Sequence, residues 1–152
     1  MISRVAFIVA FLGATAVSHA DDMQAVLGLP VDPSVTQGNI QSTICAKGRT
    51  KTMRPMWPVI VRIKREKQRV AADPLDVDHS RFELNHPIPL ALGGAAADPR
   101  NLALKPWAEA REKETIEACL SVAVCIGRIS LREAQQAIWR DWRAAVALCR
   151  IF

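Results

Sequence analysis

The stretch from Phe82 to Asn101 leaves the chain few ways to fold. An apolar, strand-like run ends on Asn85-His86, and Pro87 restricts His86 towards extended geometry. Gly93-Gly94 then turns the chain, and Asp98-Pro99-Arg100-Asn101 delivers an asparagine just before a helical pattern. A strand, a turn and a helix in quick succession predict an α+β element with polar side chains gathered at its bend. His86 titrates near neutrality, which suits a general base. Asn101 stands where its amide can hold that imidazole. Taken alone, the same two residues also read as a core histidine and a helix cap.

The rest of the chain reads as support. Met1-Ile2-Ser3-Arg4, an apolar run from Val5 to Val17 and Ser18-His19-Ala20 form an export-signal pattern over residues 1–20. Its apolar run falls short of the ~20 residues a spanning helix needs. The expected location is therefore the periplasm or the outside of the cell. Residues 21–152 then make one domain, with 21–40 expected as a weakly structured lead-in because Gly28-Leu29-Pro30, Asp32-Pro33 and Gln37-Gly38-Asn39 are turn signals. Without Arg4, 19 basic side chains face 15 acidic ones, and a basic balance favours a polyanionic partner.

A short strand is expected within Gln41 to Met53, ending at Lys47-Gly48. Pro55 and Pro58 delay the next helix to about Val59, and it runs to Ala72. Arg62, Lys64, Arg65, Lys67 and Arg69 decorate that helix, either as a solvated face or as a phosphate-contacting surface. Asp73-Pro74 stops it, and Asp76 to Ser80 forms a polar loop. A helix is expected from Trp107 to Val124, ended by Gly127. Ser130-Leu131-Arg132-Glu133 is a capping box opening another helix at Leu131, with Trp139 and Trp142 as packing residues.

Cys45, Cys119, Cys125 and Cys149 make an even count in an exported chain, which favours disulfides over metal binding. No C-x-x-C pair exists to build a zinc site. Three pairings are open. Cys119 and Cys125 cannot bridge within one continuous helix. In a straight antiparallel hairpin about Gly127, Cys149 lies roughly 20 Å beyond Cys119, at ~1.5 Å per residue. A Cys119–Cys149 bridge therefore requires a break near Asp141, and it leaves Cys45 to pair with Cys125.

Glu83-Leu84-Asn85-His86-Pro87-Ile88-Pro89-Leu90-Ala91-Leu92-Gly93-Gly94, followed by Asp98-Pro99-Arg100-Asn101-Leu102, resembles the HNH endonuclease motif of exported bacterial HNH-like proteins. The likeness extends to Thr43-Ile44-Cys45, Thr50 to Pro55, Val124-Cys125, Ile129-Ser130-Leu131, Glu133-Ala134-Gln135, Ala137-Ile138 and Asp141-Trp142. It implies a ββα-metal element flanked by helices and stapled by disulfides. It also implies nucleic acid as partner and metal-dependent phosphodiester hydrolysis, with His86 as general base and Asn101 as the residue orienting it. A divalent ion, Mg²⁺ or Zn²⁺, belongs to that chemistry.

Two positions depart from the pattern. The carboxylate that precedes the histidine in the family is Asn85 here, and neutral amide oxygen is a poorer ligand for a hard cation. The third family position falls near Arg111, which cannot coordinate a metal but can face a phosphate as a fixed charge. Glu83 shares a strand face with Asn85 and stands as a replacement ligand, with Asp78, Glu109 and Glu112 as further oxygen donors. Arg62, Lys64, Arg65, Lys67, Arg69, Arg100 and Arg111 are the expected nucleic-acid contacts. The alternative is a degenerate HNH-fold protein that needs no cofactor and binds nucleic acid or another partner without cleavage. A disulfide-stabilised envelope protein is a third reading.

Overall fold

A computed structural model describes residues 28–71 and 79–149; residues 1–27, over which the export signal was expected, residues 72–78, with Asp78, and residues 150–152 lie outside the described residues. The chain is α+β and mostly helical. Two antiparallel strands, β1 (Phe82–Asn85) and β2 (Ala103–Pro106), lead into a long helix and pair Phe82 with Pro106, Glu83 with Lys105, Leu84 with Leu104 and Asn85 with Ala103. The helices are α1 (Arg49–Met53), α2 (Trp57–Ala71), α3 (Trp107–Cys125) and α4 (Leu131–Asp141).

The hairpin and α3 follow the expected order. Upstream, two expectations fail. Gln41 to Met53 holds no strand: a 3-10 turn covers Gln37–Ser42, and Arg49–Met53 is helical after Gly48, whose φ of 80° is open to glycine. The lead-in is also not loose from Gly28 onward. Leu29, Val35, Ile40 and Ile44 are buried in one core with Ile88, Leu92, Leu120, Val124, Leu131 and Ile138. Their turn residues shape a packed segment rather than a tail. In α2, Pro58 sits in the first turn, where its missing N–H has no helical partner to lose, so the helix begins at Trp57.

The C-terminal break is present. Asp141 Oδ1 accepts from the backbone N–H groups of Arg143 at 2.9 Å and Ala144 at 3.2 Å, ending α4 and opening a 3-10 turn over Ala144–Cys149. That turn packs on α3 and brings Cys149 to Cys119, with Cα atoms 5.9 Å apart. The second bridge joins Cys45 to Cys125, with Cα atoms 5.7 Å apart. Two disulfides suit an oxidising compartment. Among the described residues no helix is long and apolar enough to cross a membrane.

Candidate active site

The loop between the strands is fixed from three sides. Asn101 is fully buried and spends its whole amide on backbone: Oδ1 accepts from Ile88 N–H at 2.8 Å, and Nδ2 donates to the carbonyls of Ile88 at 2.9 Å and Ala95 at 3.0 Å. Gln135, buried on α4, donates to Leu92 O at 2.8 Å. The segment before the core grips the same loop through Asp32 N–H to Gly93 O at 2.8 Å and Ala95 N–H to Pro30 O at 3.0 Å.

The two glycines answer different needs. Gly93 has φ of 70°, a left-handed conformation that disfavours side chains. Gly94 makes room: a Cβ there would stand 1.9 Å from Ile88 O and 2.6 Å from Asn101 Nδ2.

His86 follows β1 and is the residue this framework aims. Its Nε2 lies 3.1 Å from the carbonyl of Ala96. A carbonyl only accepts, so Nε2 carries the proton and Nδ1 keeps its lone pair. Burial lowers the His86 pKa below its ordinary value, and the nearby Lys113 and Arg54 charges push the same way, against the Ala96 hydrogen bond. A neutral ring with one basic nitrogen is the state a general base needs. Asn101 does not touch the ring: its Nδ2 holds the Ala95 carbonyl, and the next carbonyl, of Ala96, accepts the imidazole hydrogen bond.

The cleft beside His86 has a volume of about 440 Å³ and is lined by Arg54, Glu83, Asn85, Glu114 and Glu117, with Ile60, Ile63 and Trp107 among its walls. Glu83 and Asn85 both line it. Burial raises the pKa of Glu83, and the carboxylates of Glu114 and Glu117 raise it further.

Below the histidine lies a pair that sequence reasoning did not single out. Lys113, only 1% exposed, donates from Nζ to His86 O at 2.8 Å and forms a short ion pair with Glu117. Burial lowers the Lys113 pKa, opposed by Glu117. The signal was there in the phase of the helix. Ala110, Leu120 and Val124 are buried on one side of α3, and positions 113 and 117 fall between them at helical spacing.

Other expected site residues are elsewhere. Arg111 is exposed and is not among the residues that line the His86 cleft, so it does not face that site as a fixed charge. Glu112 is exposed, and Glu109 is paired with Lys105 at 2.6 Å. Arg100 clasps Asp98 and donates to Gly28 O at 3.1 Å, which ties down the start of the core. Lys64 donates to Phe82 O at 2.6 Å and Lys67 to Pro99 O at 2.8 Å, bracing α2 against the hairpin. These two ammonium groups serve open backbone carbonyls. Arg62, Arg65 and Arg69 remain on the exposed side of α2.

A divalent ion does not fit this donor set as it stands. Asn85 Oδ1 is buried without a hydrogen-bond partner and offers one neutral oxygen. Among the described residues no three His, Cys, Asp or Glu side chains come together in a way that could hold a metal. The cations Arg54 and Lys113 stand against the carboxylates of Glu83, Glu114 and Glu117 around the same cleft, so charge alone does not select for or against a dication there. Searches of protein-family profiles, curated proteins and solved structures find no match to this chain.

Proposed function

We propose that this chain is an HNH-like, nuclease-type protein that acts on nucleic-acid phosphodiesters, with His86 as general base. The observation that carries the reading is the Nε2–Ala96 hydrogen bond, which leaves Nδ1 as the basic atom of a neutral imidazole beside a cleft. The strand–loop–strand–helix order and the motif resemblance support the same assignment, as a ββα element of HNH type. In this mechanism Nδ1 takes the proton from a water as its oxygen attacks phosphorus, the P–O bond to the leaving nucleotide oxygen breaks, and that oxygen takes a proton from solvent water. Arg54, which lines the cleft, faces the phosphate charge. Lys113 holds the histidine's backbone from beneath, and Glu117, which also lines the cleft, is its ion-pair partner.

A second reading is favoured by Asn85 and by the thin donor set: recognition of nucleic acid without cleavage. Plasmid nicking separates the two. The expected result is nicking that His86→Ala abolishes and that Asn85→Asp increases in Mg²⁺, because a carboxylate replaces an amide oxygen. Nicking unchanged by His86→Ala removes His86 from the chemistry. Salt-sensitive DNA binding with no nicking in any variant favours the binding module.

A further inference from the structure

We propose that the outer face of α2 is a docking surface for single-stranded nucleic acid, with Trp57 as the stacking platform and Arg62, Arg65 and Arg69 as phosphate contacts. The inference rests on nucleic acid being the partner, as argued above, and is independent of whether the His86 cleft cuts.

The helix divides its side chains by direction. Ile60 and Ile63 line the His86 cleft, and Lys64 and Lys67 are bound to the carbonyls of Phe82 and Pro99. The opposite face is a shallow groove lined by Trp57, Pro58, Val61, Arg62, Arg65 and Arg69, with Glu66 its one carboxylate. Met56 and Trp57 are 76% and 74% exposed, more than any other large apolar side chain among the described residues. Burying Trp57 would be worth more than almost any other single side chain, so its exposure is a cost the fold alone does not explain.

Charge and shape together select the partner. Three guanidinium groups against one carboxylate are complementary to a polyanion, and arginine matches phosphate with a planar fork. An indole face at the head of the row is complementary to an unstacked base, and such stacking tolerates any sequence. In a duplex those base faces are already covered. From Trp57 to Arg69 the helix runs ~18 Å at its regular rise, long enough for several nucleotides of an extended strand.

The test is fluorescence anisotropy of a labelled oligothymidylate and of a duplex of equal length, on the full chain in chelator, so that no cleavage intervenes. The single strand is expected to bind at least tenfold tighter than the duplex. Trp57→Ala should weaken it by about 5- to 100-fold, while Trp57→Phe keeps most of the affinity because a ring remains. Replacing Arg62, Arg65 and Arg69 together with alanine should flatten the salt dependence by a slope of about 2. Equal or tighter duplex binding, an unchanged Trp57→Ala variant, or capture by anionic lipid vesicles in place of the oligonucleotide each overturns the proposal. Nicking by a protein whose Trp57→Ala variant binds the single strand unchanged would defeat this surface and leave the His86 reading intact; single-strand binding lost with Trp57, in a protein that never nicks, does the reverse.

Discussion

Removing the Asn101 amide should cost much of the stability of the whole chain. Asn101→Ala strips partners from three backbone groups at once: Ile88 N–H, Ile88 C=O and Ala95 C=O. Each such group left unpaired in a buried setting costs about 1–3 kcal/mol. Sharing between the two Ile88 groups and partial relaxation bring the expected loss to about 3–6 kcal/mol, a large part of the 5–15 kcal/mol typical of a domain. Asn101→Asp sharpens the test. It can still accept from Ile88 N–H, but it turns a donor into a second acceptor facing two carbonyls, so at neutral pH it should be no better than alanine. Its folded-state pKa is then raised, so the variant regains stability as pH falls and the protonated acid can donate to one carbonyl. Urea denaturation at neutral and acid pH measures both effects. A loss below about 1 kcal/mol for Asn101→Ala, or a well-tolerated Asn101→Asp, would refute the claim that this residue is the clamp of the loop.

Other outcomes follow from the same geometry. Gly94→Ala should prevent the native loop from closing, because the added carbon meets Ile88 O at 1.9 Å, whereas Ala95→Gly should fold; soluble yield and circular dichroism report this. Lys113→Met leaves Glu117 and His86 O without their buried cation and should cost about 3–5 kcal/mol, with Lys113→Met/Glu117→Leu recovering much of it, measured by urea denaturation. His86 has a folded-state pKa below its ordinary 6.5, so its contribution to stability is present above that value and is lost as pH falls towards the folded-state value; His86→Gln should flatten this part of the stability profile. Glu83 has the opposite sign: its raised pKa favours the fold below the ordinary 4.5 and costs stability as pH rises through the folded-state value, so Glu83→Gln should gain most at neutral pH.

The first strand, the long helix and the broken C-terminus were legible because each rests on local chemistry, whereas the second strand, Ala103–Pro106, was implied only by the motif resemblance. Gly93 and the prolines force the loop, Ser130 accepts from Glu133 N–H at 3.1 Å to open α4, and Asp141 closes it. The bend was also a matter of reach: without it Cys149 could not meet Cys119. The lead-in was misread because turn residues mark where a chain bends and not whether the bends pack; Val35 and Ile40 are buried between them. Lysines 64 and 67 looked like their arginine neighbours because sequence shows charge but not which carbonyl a side chain will reach. Lys113 was hidden in Arg111-Glu112-Lys113-Glu114, where only the helical phase set by Ala110 and Leu120 tells the buried charge from the exposed ones. The Asn101 clamp needed the third dimension, since its partners Ile88 and Ala95 are neighbours only after the loop closes around Gly94.

The protonation state of the His86 ring is the point on which the account turns. Nitrogen-detected NMR of the labelled protein reads it directly, and with three histidines in the chain the His86→Gln variant assigns the signals. The predicted result at neutral pH is an uncharged ring with its proton on Nε2 and a bare Nδ1, titrating below the ordinary range. A proton on Nδ1, or a charged ring at neutral pH, would contradict it.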